Sequence, residues 1–300
     1  MKRFLIGSFF ILILILSGCS SSKNIHMEIS EPFYMHKDKP SLFKVSITDN
    51  NKALTNLKVS AEFSMKNMDH GEYKTALQEE KDGIYSGSVE LPMAGDWEIV
   101  VTAEKEGKIT EEIFEYEVKE PEGAALINGD WVTEKDLEFY LFINKLHIAI
   151  SRFQDQQAYK GKALDEAMAY WDDQEKMNED RNQLLTQIIR LRSMAYLARE
   201  KGHNATTEEI EIELKKVKEQ YNQFDIAKKM IQEYGDRKFW EKQEKQYELI
   251  VLSQKVQQDL IEKVKKENPD VNKQEIYYLA QKQYEELLVS QVNSLKIEIF

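Results

Sequence analysis

The spacing of apolar residues changes once along this chain, from every second residue to every third or fourth, and no single layer of structure accommodates both. Before Pro121-Glu122-Gly123 period two dominates. Phe43, Val45 and Ile47 share one face, as do Leu57, Val59, Ala61 and Phe63, then Tyr85, Gly87, Val89 and Leu91, then Trp97, Ile99 and Val101. A final run through Phe114, Tyr116 and Val118 could close a sheet. Turn signals at Asp49-Asn50-Asn51, Lys81-Asp82-Gly83 and Ala94-Gly95-Asp96 separate the runs, and such short connections disfavour parallel crossovers. Residues 25–120 are therefore expected to form an immunoglobulin-like antiparallel β-sandwich of about seven short strands.

After Ala124-Ala125-Leu126-Ile127 the strand period disappears, and no proline recurs until Pro269. Thr133 can cap a helix reaching about Phe153, with Leu137, Phe139, Ile143, Leu146 and Ile150 on its apolar face. A long helix from about Glu179 carries Leu184, Ile188, Leu191, Ala195 and Ala198 and stops at Gly202. Thr206-Thr207-Glu208-Glu209 reads as a capping box. Further helices are expected from Asp236 to about Glu267 and from Asn272 to about Asn293, before the short Ile297, Ile299, Phe300 alternation. The chain is read as an α+β multidomain protein, a β-sandwich at 25–120 followed by a mainly α-helical domain at 124–300.

Lys2 and Arg3 precede an apolar run from Phe4 to Leu16, the charged and apolar regions of a secretory signal. As a helix the run covers roughly 20 Å of a hydrocarbon core about 30 Å thick, which favours processing over a retained span. The next residues, Leu16-Ser17-Gly18-Cys19, resemble the bacterial lipobox, in which cleavage precedes a cysteine whose thiol takes diacylglycerol. That resemblance implies a signal peptide at 1–18, lipidation of Cys19, a polar tether over 19–24 and residence at the extracytoplasmic face of the cell membrane. Removing residues 1–18, with Lys2 and Arg3, leaves 282 residues and takes the formal charge from −12 to −14. Such a balance argues against a nucleic-acid partner, whose binding depends on Lys and Arg releasing condensed counterions. Cys19 is the single cysteine, so internal disulfides and Cys-x-x-Cys redox or metal pairs are excluded.

Met65, Met68 and His70 stand in a Met-x-x-Met-x-His arrangement at the end of a strand, and Met93 falls in a hairpin that could approach them. Thioether and imidazole are soft ligands suited to Cu(I). Ordinary packing by methionine explains the same residues, since thioethers fill irregular core gaps. The pairs His26-Met27 and Met35-His36 are expected nearby. Gly83-Ile84-Tyr85-Ser86-Gly87, followed by Leu91-Pro92-Met93-Ala94-Gly95-Asp96-Trp97, resembles the YtkA-like and FixH-like extracytoplasmic domains. The resemblance implies a membrane-tethered accessory domain, with copper handling for oxidase assembly in some relatives, and no catalytic residues.

In the second domain Ile127-Asn128-Gly129-Asp130-Trp131-Val132-Thr133 resembles the opening of the SurA and PrsA chaperones. Ala198-Arg199-Glu200-Lys201-Gly202 before the capping box, and Tyr284-Glu285-Glu286-Leu287-Leu288 through Lys296-Ile297-Glu298-Ile299, add to that similarity in the same order. The resemblance implies a helical body closed by pairing of its first and last segments, which holds unfolded or secreted polypeptides. Isomerase members of the family carry a parvulin domain before the closing helix, and Asn268-Pro269-Asp270-Val271-Asn272 leaves no room for one. A parvulin also uses histidines, and none follows His203. The expectation is a non-enzymatic, membrane-anchored chaperone with no resident cofactor. The alternatives are a copper-binding or oxidase-assembly accessory and a purely structural envelope lipoprotein. His147, among apolar residues, is expected to pack and not to ligate.

Overall fold

A computed structural model describes residues 25–37, 39–68 and 71–300. The chain divides into two compact units, Met1–Pro121 and Glu122–Phe300.

The first unit is antiparallel throughout its ladders. Its strands are β1 (Ile25–Ile29), β2 (Ser41–Asp49), β3 (Lys52–Ala53), β4 (Lys58–Met65), β5 (Glu72–Lys81), β6 (Ile84–Val89), β7 (Gly95–Lys105) and β8 (Lys108–Val118). They form one hydrogen-bonded path, β1-β2-β6-β5-β4-β7-β8, with β3 appended to β2. These are the neighbours of an immunoglobulin-type sandwich, with β5 shared between the two sheets. The first half of β5 pairs with β4 from Ser64↔Glu72 to Val59↔Leu77, and its end pairs with β6 through a bulge between Glu79 and Lys81. Gly87 makes the crossing possible, because a Cβ there would lie 2.6 Å from Leu77 Cδ2 and 2.7 Å from the Ala76 carbonyl oxygen.

The two ends of the path also meet, so the sandwich is nearly a closed barrel. The Met27 amide of β1 donates to a Glu112 carboxylate oxygen of β8 at 3.0 Å, and the Phe33 amide donates to the Tyr116 hydroxyl at 2.9 Å. Such contacts occupy edge groups that would otherwise template pairing with another chain. Inside, Phe43, Val45, Ile47, Val59, Ala61, Phe63, Tyr85, Trp97, Ile99 and Val101 form the core that period two picked out. Phe43 and Phe63 meet edge-on with centroids 5.1 Å apart, the preferred geometry for two ring quadrupoles. Tyr85 is fully buried, yet its hydroxyl donates to the Leu54 carbonyl and accepts from the Leu57 amide, which pins the β3–β4 connection.

The second unit opens with β9 (Ala125–Ile127) and β10 (Asp130–Val132). Seven helices follow: α1 (Glu134–Ala158), α2 (Lys162–Asn178), α3 (Arg181–Glu200), α4 (Thr207–Tyr221), α5 (Asp225–Tyr234), α6 (Asp236–Glu267) and α7 (Lys273–Ser294). The unit ends with β11 (Ile297–Ile299), which pairs with β9, so that β9 lies between β10 and β11 and the first and last segments join. Thr133 and Asp136 make a reciprocal capping box on α1, Thr206 and Glu209 another on α4, and the Asn272 side chain caps α7. Each satisfies amides that the first helical turn leaves unpaired.

Four apolar clusters explain how these helices assemble, the smallest being Val264, Ile276 and Ala280 between α6 and α7. Leu137, Leu184, Leu185 and Ile188 cover the small sheet; Phe139, Ile143, Leu146, Val217, Tyr221, Ile231 and Phe239 join α1, α4, α5 and α6; Met194, Ala198, Leu252, Val256 and Leu288 join α3, α6 and α7. Burying one such Leu, Ile or Phe side chain contributes about 1.5–3 kcal/mol. The hairpin of α1 and α2 is built differently. No residue of α2 is buried, and none of α1 is buried beyond Ile150. Polar contacts hold the pair: Trp171 Nε1 donates to Asp155 at 2.7 Å, Arg152 meets Asp172 and Glu175, and Lys145 meets Glu179.

Candidate functional site

Met65, Met68 and Met93 come to the same end of the barrel. Met65 closes β4 opposite Trp97 of β7, and the Lys66 amide donates to the Asp96 carbonyl, tying the β4–β5 connection to the start of β7. The Met65 side chain runs against Gly95, where an added Cβ would lie 2.5 Å from its Cε, so the thioether reaches the hairpin that carries Met93. It is also packed at the margin of the core. Met68 is 53% exposed and Met93 37% exposed. A cavity of about 450 Å3 at this end is bordered by His36, Tyr73, Leu91 and Pro92. His70 lies outside the described residues. Among the described residues no group of three or more His, Cys, Asp or Glu could hold a metal, so a soft-ligand site here would depend on the methionines and His70.

The pair His26-Met27 does not join this end. The β1 register sets Met27 opposite Ile47, toward the other end of the barrel, and Met27 is fully buried in the core while His26 is exposed. Inward-facing residues of a strand are core by geometry, and here that overrides the expectation of a neighbouring ligand pair. His36 is buried, and its backbone amide donates to the Ser41 hydroxyl at 3.1 Å.

In the helical unit two adjoining cavities, about 450 and 130 Å3, share Arg192, Lys245 and Leu249 between β10, α1, α3 and α6. Arg192 is committed to the fold, donating to the Trp131 carbonyl at 2.7 Å and pairing with Asp136 at 3.1 Å. Arg199 pairs with Glu248 at 2.8 Å. Desolvation pushes the Tyr140 phenol up to about 12, and desolvation together with a hydrogen bond to Asp130 does the same for Tyr196. Desolvation lowers the Lys242 ammonium, which donates to the Lys135 carbonyl at 2.8 Å. These groups brace the junction of sheet and helices. His147 remains accessible to solvent but bonds Tyr221 at 2.8 Å, as a packing histidine would.

The surface of the helical unit carries apolar side chains in several places. Phe153, Tyr159, Tyr170 and Met177 are exposed on the α1–α2 hairpin, Ile212 on α4, and Tyr277, Tyr278 and Val289 on α7, with Tyr278 at 69%. Between α6 and α7 only residues 268–272 intervene, so no inserted domain separates them.

These features define a chain in which a small antiparallel β-barrel precedes a helical unit closed by its own first and last strands. Residues 20–102 match the family model described as YtkA-like, which places a YtkA-like domain over β1 to β6 and most of β7. No curated protein matches the chain. Cys19, the expected lipidation site, lies outside the described residues, and no helix among those residues is long and apolar enough to cross a membrane.

Proposed function

We propose that this chain is a lipid-anchored extracytoplasmic protein whose helical unit holds unfolded or secreted polypeptides without isomerase chemistry. The observation that carries the reading is the set of exposed aromatic and aliphatic side chains on the α1–α2 hairpin and α7, mounted on helices whose backbone groups are internally paired. Apolar contact is non-directional and tolerates varied client sequences, and the formal charge of −14 left after residues 1–18, with Lys2 and Arg3, are removed keeps a loaded complex soluble. The similarity to SurA and PrsA chaperones, the pairing of β9 with β11 and the direct passage from α6 to α7 agree with a chaperone body that lacks the parvulin domain. The anchor is the acylated Cys19; Cys19→Ala would release the chain from membranes.

The test is light scattering of a thermally unfolding client with the full chain, alongside a prolyl isomerisation assay. Suppressed scattering that weakens in a Tyr277→Ser, Tyr278→Ser variant is expected, without catalysed isomerisation. Unchanged scattering at excess protein sinks the holding function, and clear catalysis contradicts the absence of isomerase chemistry.

A second reading is favoured by one placement, that of Met65, Met68 and Met93 at a single end of the YtkA-like domain. There the chain would bind Cu(I) as an accessory for oxidase assembly. Titration with Cu(I) against a competing chelator decides it, with Met68→Ala plus His70→Ala as the control that must weaken binding.

A further inference from the structure

The described chain enters the barrel at Ile25, at the end that also carries the β7–β8 turn. Ile25, Leu54, Leu57 and Ala103 line a cavity of about 450 Å3 whose charged lining residues are Lys105 and Lys108. Ile109, which also lines it, is 65% exposed. Ile25 comes from β1 and Leu54 and Leu57 from the β3–β4 connection, while Ala103, Lys105, Lys108 and Ile109 are presented by the β7–β8 hairpin, where Lys105 pairs with Lys108 and the two residues between them, Glu106 and Gly107, have φ of 52° and 76°. Positive φ at both central positions is the tight turn that matches strand twist, so the tip is preformed.

Apolar surface flanked by long ammonium side chains is the chemistry of an interfacial anchor, in which the stems lie along apolar material and the charged heads reach phosphate. The local charge supports that assignment. Residues 25–120 sum to −9, yet the four-residue tip sets two lysines against Glu106 alone, and in the other two turns at this end Lys52 and Lys81 offset Asp49 and Asp82.

Chain length supports it independently. Cys19 stands six residues before Ile25, a reach of at most about 22 Å when fully extended. The far end of the barrel is a further β7 length away, about 35 Å for its 11 residues. β8 carries the chain to that far end before Pro121, so the end that receives the tether is not where the chain leaves.

We propose that this end of the barrel is a bilayer-docking surface, with Ile109 entering the boundary between headgroups and acyl chains and Lys105 and Lys108 meeting anionic lipid phosphates. The proposal rests on the reading of Cys19 as the lipid anchor. Once anchored, the tip meets lipid at high effective concentration, and even weak docking would orient the barrel.

The test uses the full acylated chain in phosphatidylcholine vesicles containing phosphatidylglycerol. Acylation occupies the single native thiol, so one introduced cysteine takes one environment-sensitive dye. Lys52→Cys reports on the tether end and Glu90→Cys on the opposite end. Nitroxide-bearing lipids should quench the dye at 52 and leave that at 90 bright. Ile109→Ser should reduce the quenching, and Lys105→Gln and Lys108→Gln should each lower the docked fraction about fivefold. Vesicles that float with the protein while both positions stay equally bright or are equally quenched would overturn docking and leave the anchor standing. Protein that carries no acyl group and fails to float would overturn the anchor, and docking with it.

Discussion

The imidazole Nε2 of His147 lies 2.8 Å from the phenol oxygen of Tyr221, joining α1 to α4 at the margin of an apolar cluster. Desolvation lowers the His147 pKa and raises that of Tyr221, so the phenol keeps its proton and donates to a neutral ring. Above the unfolded value of about 6.5 the ring is neutral in both states and this contact is fully present. As pH falls through that value the unfolded chain takes up the proton more readily than the folded one, and stability is lost until the lower folded pKa is passed. Between about pH 7 and about pH 5 the parent should therefore lose more stability than His147→Asn, measured as urea midpoints. Equal losses would show that the ring is not desolvated as described.

Gly87 should resist any side chain. Gly87→Val places atoms against Leu77 and the Ala76 carbonyl where β5 changes partners, and overpacking of this kind costs about 1–3 kcal/mol. Unfolding followed through the buried Trp97 would show the shift. A variant as stable as the parent would mean that β5 does not cross so closely.

Deleting residues 296–300 should open the helical unit at its base. β9 would lose its β11 partner, and Ile297 would no longer pack with Ile127, Leu184 and Leu185. Amide exchange at Ala125–Ile127 should rise more than at Val251–Val256 in α6; uniform protection would contradict a closing role for β11.

The α1–α2 hairpin should open before the rest of the unit. With no buried residue in α2, local unfolding there exposes little apolar surface. Native-state exchange should be faster in α2 than in α6, and limited proteolysis should cut near Gly161 first. Equal exchange in the two helices would be incompatible with the polar packing described.

The parts of the fold that were legible in the sequence are those where one residue type performs one local task. Phe43, Val45 and Ile47 alternate because every second side chain on β2 faces inward, and all three are buried. Thr133, Thr206 and Asn272 announce helix starts because their side chains bond the amides just beyond them. What stayed hidden carries a shorter or weaker signature. β1 alternates Ile25, Met27 and Ile29 with His26 and Glu28 over only five residues, and β5 turns Tyr73, Thr75 and Leu77 inward but buries only Leu77. α2 buries nothing fully, and its stripe of Leu164, Ala167, Met168 and Trp171 is a helical signal that the sequence reading passed over. Closure of the barrel depends on Glu112 reaching Met27 and Tyr116 reaching Phe33, pairs more than 80 residues apart. For the candidate metal end, the sequence brought Met65, Met68 and Met93 together but misplaced Met27, because strand register is set by partners and not by neighbours in sequence.

The pairing of β9 with β11 also sets an order of events during synthesis. Ala125 must wait for Ile299, and Ile127 for Ile297, some 170 residues later. Until then one edge of β9 is open and the cluster of Ile127, Leu184 and Leu185 lacks Ile297. The loop to be closed is long, but the entropic cost of closing it grows only with the logarithm of its length, so the delay is one of chain synthesis more than of chain search. A protein built this way passes its most aggregation-prone interval as an incomplete nascent chain.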